Sequence, residues 1–162
     1  MLLTAVLFQQ VVLAIHIAAV VVAFGVTFAY PFFGAVGSRM DPRAMPWFHR
    51  MQQAIGRRLV SPGLGLVLIA GVILASDEHQ WKHFYVQWGI GAAIVLGALE
   101  GTVMTRSEGK LAELAERDVQ TAGTGEVRWS SEYETLSRRT GAIGGLMGLI
   151  VIVTVFFMAL HL

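Results

Sequence analysis

The chain has 162 residues, 55% of them hydrophobic and only 14% charged, and its mean hydropathy is +0.62. Soluble domains carry about 25% charged residues, so this composition excludes an ordinary soluble globule. The chain has no cysteine, which removes disulfide frameworks, thiolate metal sites and cysteine nucleophiles, and a net charge of +1 speaks against nucleic acid as a partner.

Taken in chain order, residues 1–37 hold no Asp, Glu, Lys or Arg. A membrane helix needs about 20 consecutive, mostly apolar residues, and a first span is expected over about 7–33. No Lys or Arg precedes this run and no small-residue cleavage site follows it, so the helix is expected to stay in the mature protein. His16 lies inside it. An ionisable residue within an apolar span is a functional candidate, because a neutral imidazole can ligate haem iron or relay protons. The ordinary alternative is a histidine bonded to a backbone carbonyl or to Gln9.

Residues 38–58 are expected to form a loop, with Arg39, Arg43, Arg50, Arg57 and Arg58. Asp41-Pro42 and Pro46 are helix-start signals, so helix two should begin before its apolar part, with Trp47, Phe48 and His49 at the lipid surface. A second span is expected over 59–76, with Gly63, Gly71 and Ala75 on one ridge. Next comes a short polar segment. His79 and His83, four apart, together with His161 at the end of the chain, form a weak metal-ligand set. An exposed interfacial segment is the stronger reading there, and no metal is expected. Trp81, Phe84, Tyr85 and Trp88 read as an interfacial aromatic belt.

The third span is expected over 84–105 and carries one charge, Glu100. Glu100 is either half of a buried ion pair with Arg57, Arg58 or Arg139, or a proton-handling or substrate-binding carboxylate. Residues 106–139 form the second long loop. Within it Leu111, Leu114 and Ala115 show helical spacing, residues 121–125 read as a turn, and Ser131 with Glu134 reads as a capping box. The last two helices should therefore extend beyond the apolar layer as a stalk. The fourth span is expected over 140–161. Gly89, Gly97 and Gly101 on helix three and Gly141, Gly145 and Gly148 on helix four are small-residue faces. They suit the bundle interior, an oligomer seam or clearance for a flat cofactor.

Eleven of the twelve Lys and Arg residues fall in the two long loops, and Lys82 is the exception. By the positive-inside rule both loops are cytoplasmic and both termini lie outside. The expected fold is all-α: a single integral membrane domain, an antiparallel four-helix transmembrane bundle with a short cytoplasmic stalk. Its surroundings are the lipid bilayer, with a homo-oligomer or a larger membrane complex as the further assembly.

Ala14-Ile15-His16-Ile17, Phe24-Gly25 and Tyr30-Pro31-Phe32-Phe33 open a set of local motifs. Gly56-Arg57-Arg58-Leu59, Glu100-Gly101 and Ser137-Arg138-Arg139 continue it. Over most of its length the chain resembles a bacterial family of predicted integral membrane proteins with no assigned function. That resemblance implies the bacterial inner membrane. More distantly, helix one is similar to that of the four-helix haem-dependent protoporphyrinogen oxidases, which carry a histidine followed by Ile and a Tyr-Pro-like element. This likeness implies haem b with His16 as an axial ligand. The membrane lysine of those oxidases has no counterpart in the apolar runs of this chain. The leading expectation is a haem-b-binding redox protein. A non-enzymatic accessory or scaffold subunit and a small proton-coupled carrier are the alternatives.

Overall fold

Residues 2–77 and 80–160 are described by a computed structural model, and they contain helices and short turns but no strand. The helices are α1 (Leu2–Met40), α2 (Met45–Ile55), α3 (Ser61–Asp77), α4 (Phe84–Leu99), α5 (Thr105–Ala122) and α6 (Ser131–Leu160). A π turn, Gly56–Val60, fuses α2 to α3, and a second, Glu100–Met104, fuses α4 to α5. Four long rods result. Each contains a stretch long and apolar enough to cross a membrane, within Leu7–Gly37, Pro42–Ser76, Phe84–Ala122 and Ser131–Leu160.

The rods pack antiparallel, as the residue pairs show. Ala23 of α1 meets Gly63 of α3, and His16, earlier in α1, meets Gly71, later in α3. Trp88 of α4 bonds Thr154 of α6, while Met104 lies against Gly144. In the other half α2 runs beside α5, with Gln53 donating to the Thr105 carbonyl and His49 reaching Glu108.

Two cores hold the rods. In the apolar half, Ala23, Phe24, Val60, Leu64, Leu96, Met147 and Val151 form a buried cluster drawn from all four rods. In the polar half, Met45, Leu111, Leu114, Ala115 and Tyr133 form a second cluster, with Trp129 and Leu136 against it. The second core is of the soluble type. Helix α5 is amphipathic: it buries Leu111, Leu114 and Ala115 and exposes its Lys110 and Glu113 face. Helix α5 carries seven charged residues, too many for lipid, and so the part of its rod apolar enough to cross a membrane ends near its first turn.

The helices are longer than the expected spans. Helix α1 runs through Pro31 to Met40 instead of ending near 33, because an apolar helix packed among others tolerates the lost amide. Residues 38–58, expected as a loop, are helical from Pro42 onward. Asp41 starts that turn by accepting from the Arg43 amide at 2.9 Å. Of residues 106–139, only 123–130 are non-helical. The turn breaks at Gly123, whose φ of +55° excludes most side chains. The cap of α6 is Ser130, not Ser131. Its hydroxyl accepts from the Tyr133 amide at 3.3 Å, three residues on.

Four of the six glycines expected at helix contacts do not make them. A Cβ built at Gly97, Gly101, Gly141 or Gly145 meets nothing within 4 Å, so these face away from their neighbours within one chain. Gly89 and Gly148 do pack, against Met158 and Phe28. Close approaches outside the expected set fall at Gly56, Gly63 and Gly109. These sit where the second rod meets the first and third, and the third meets α2.

Candidate functional site

Beyond the apolar core, on the side away from the stalk, the four rods spread around a cavity of about 450 Å³. That volume lies within the range of sites for small molecules and cofactors. Its walls are mostly aliphatic and small, including Leu13, Leu68, Gly71, Ala92 and Ala93. Polar groups gather near the α3–α4 connection and the first turns of α1: Gln9, Gln10, Gln80 and Tyr85, with Tyr85 donating to Gln80. Among the described residues no Lys or Arg lines the space.

His16 is part of this wall and is 9% exposed. Its Nδ1 lies 3.0 Å from the Val67 carbonyl oxygen. A carbonyl only accepts, so Nδ1 carries the hydrogen and Nε2 keeps its lone pair. That is the arrangement in which a backbone carbonyl fixes the tautomer and ring orientation of a ligating histidine. Gly71 makes room for the ring: a Cβ there would stand 3.4 Å from His16 Cε1. The alternative hydrogen bond foreseen for His16, to a carbonyl, is thus formed. It leaves the Nε2 lone pair outside that bond.

Glu100 lies on the stalk side of the core. It is 9% exposed and sits in the π turn that faces the Gly56 π turn, where any Cβ on Gly56 would overlap its Oε1. The ion pair foreseen for it does not form. Arg57, Arg58 and Arg139 are exposed, and among the described residues none bridges to Glu100. The long arginine side chains stay in polar surroundings. His16 and Glu100 are not brought together, since the core cluster of Phe24, Leu64 and Val151 stands between them.

No protein-family model, curated protein or solved structure matches this chain.

Of the histidine set on the far side, only His83 lies among the described residues. His83 is exposed at the start of α4 with its ring near Tyr85, and His79 and His161 lie outside the described residues. Among the described residues no group of three His, Asp or Glu side chains is placed to hold a metal. Of the four aromatic residues expected as a belt, Phe84 and Trp88 pack edge-on against Phe157, and the Trp88 indole donates to Thr154 at 2.9 Å.

One polar chain escaped the sequence reading. His49, expected at the lipid surface, is buried in the stalk at 5% exposure. Its Nδ1 is 2.6 Å from Glu108 Oε2 and its Nε2 is 3.0 Å from the Tyr133 hydroxyl. All three residues are buried and come from α2, α5 and α6, so the chain ties the stalk helices together. The available signal was the period of α5. Glu108 lies three residues before Leu111 and seven before Ala115, on the face that turns inward.

Proposed function

We propose that this is a polytopic protein of the bacterial inner membrane that binds haem b in the inter-helix cavity, with His16 as an axial ligand, for redox chemistry. The observation that carries this reading is His16 Nδ1 held on the Val67 carbonyl at the wall of a cavity of about 450 Å³. The donor set fits the group in two respects. The histidine has the tautomer a metal requires, and the walls are apolar enough to exclude water from a macrocycle. The lining offers no cation to the haem carboxylates, so the amides of Gln9 and Gln10 at the polar end would have to receive them. Bound haem would supply one-electron chemistry. The residues of the chain bind and orient: the Val67 carbonyl aims the imidazole, Gly71 gives it space, and Leu13, Val20 and Leu68 exclude water. The stalk, with eleven of the twelve basic residues in and around it, would face the cytoplasm and both termini the outside.

The test is the optical spectrum of the purified protein in detergent, oxidised and then dithionite-reduced. A Soret band with a reduced α band at near-stoichiometric amount is expected, and His16→Ala should abolish both. A flat visible spectrum after expression with ample haem, or a His16→Ala variant that keeps its haem, overturns the assignment.

A further inference from the structure

Glu100 has a setting that cofactor binding does not explain. The residue is only 9% exposed, and among the described residues no hydrogen bond or ion pair reaches its carboxylate. An isolated carboxylate in apolar surroundings is unfavourable when charged, and such groups neutralise by taking a proton. The local backbone is built around this one side chain. Both rods beside it leave α-helical winding at the same level, through Glu100–Met104 and Gly56–Val60. Such π turns concentrate at functional positions. Gly56 contributes no side chain where any would overlap the carboxyl. Glu100 and Thr27 also border a small space of about 10 Å³, close to the smallest that admits one water.

The groups facing Glu100 can be followed element by element. From α1 come Thr27 and Tyr30, whose hydroxyl is buried without a hydrogen-bond partner. From the second rod comes Gly56, and from α6 come Met147 and Gly148. On its own rod lie Thr105, which donates to the Glu100 carbonyl, and Glu108 further along. Arg57, Arg58 and Arg139 turn outward. Among the described residues no cation therefore competes with a proton for this carboxylate.

We propose that Glu100 is a proton-binding site: its carboxylate takes one proton from water to become a neutral carboxylic acid, and returns it to water by the reverse step. Phe24, Leu64 and Val151 line both the Glu100 space and the large cavity, so a single apolar septum separates the proton from whatever the cavity holds. The proposal goes beyond cofactor binding and does not depend on it.

Infrared spectroscopy of the full chain in lipid nanodiscs, titrated with pH, tests this. The expected result is a protonated-carboxyl C=O band that appears and disappears with pH, is missing from Glu100→Gln and is retained at a shifted frequency in Glu100→Asp. If Glu100→Gln does not yield folded protein, Glu100→Asp decides: a shifted band supports the site and an unshifted one overturns it. Absence of any titrating band in the wild type, or its survival in Glu100→Gln, also overturns it. His16→Ala should leave the band in place. A wild-type chain that shows the band but no haem spectrum keeps the proton site and loses the cofactor.

Discussion

The two halves of the molecule use the same rods and opposite packing rules. In the stalk, α2, α5 and the start of α6 close on a dense core, with Leu111 only 1% exposed and Ala115 fully buried. In the apolar half the rods meet through small residues, and beyond the core they part to leave a cavity of about 450 Å³. The difference follows from the surroundings. Water drives apolar side chains of the stalk together, whereas lipid gives helices no hydrophobic reason to associate, so close backbone approach has to do so instead. Large side chains such as Ile69, Ile94, Leu149 and Phe156 accordingly point outward in the apolar half. Open space costs less there, and a site can be kept.

The comparison breaks most severely at the stalk's buried polar chain. His49→Ala leaves Glu108 buried without its partner and removes the acceptor or donor opposite the Tyr133 hydroxyl. Loss of one member of a buried pair costs about 3–5 kcal/mol. Amide exchange in α2 and α5 should speed up accordingly, while the cavity keeps whatever spectrum the wild type shows. If exchange accelerates equally around the cavity, the two halves are one cooperative unit and the contrast fails.

A smaller effect, in the other half, sharpens the comparison. Gly71→Leu places a side chain where even a Cβ stands 3.4 Å from the His16 ring. The imidazole must then shift off the Val67 carbonyl. Affinity for the proposed haem should fall about tenfold or more, a difference of about 1.4 kcal/mol, as read by haem titration. Exchange in the stalk should not change. Unaltered affinity would show that the His16 edge of the cavity is not where the ligand sits.

How far the sequence disclosed all this depends on the half. In the apolar half composition is the signal, and it revealed four spans, their order and the candidacy of His16 and Glu100. It could not reveal which glycines pack. Every small residue on an apolar helix fits a contact equally well, and Gly97, Gly101, Gly141 and Gly145 differ from Gly56 and Gly63 only in rotation about the rod. On the second and third rods the rotation is also reset partway, by π turns that each accommodate an extra residue and turn the following face by about 100°. No sequence pattern announced them. In the stalk, periodicity marked Leu111, Leu114 and Ala115 correctly. His49 was misplaced because its neighbours Trp47 and Phe48 resemble an interfacial belt, although Trp47 is 66% exposed and His49 turns inward two positions later.

The smallest expected effect tests whether the stalk is closed by its last turn as well as by its core. Ser130 does three things there: its hydroxyl accepts from the Tyr133 amide at 3.3 Å and from Arg117 at 3.0 Å, and its own amide donates to Asp118 Oδ2 at 2.8 Å. Ser130→Ala removes the first two and keeps the third. An N-cap serine replaced by alanine costs about 1 kcal/mol. The arginine contact is exposed and adds little. Because Tyr133 begins three residues later and closes the His49 chain, fraying of this cap should loosen the first turn of α6 before anything else. Exchange should then rise at residues 131–134 and hardly at all in α2. An equal rise in both would mean that the cap and the buried polar chain open together, and the polar chain would then be the clasp for the whole stalk rather than one of two independent ties.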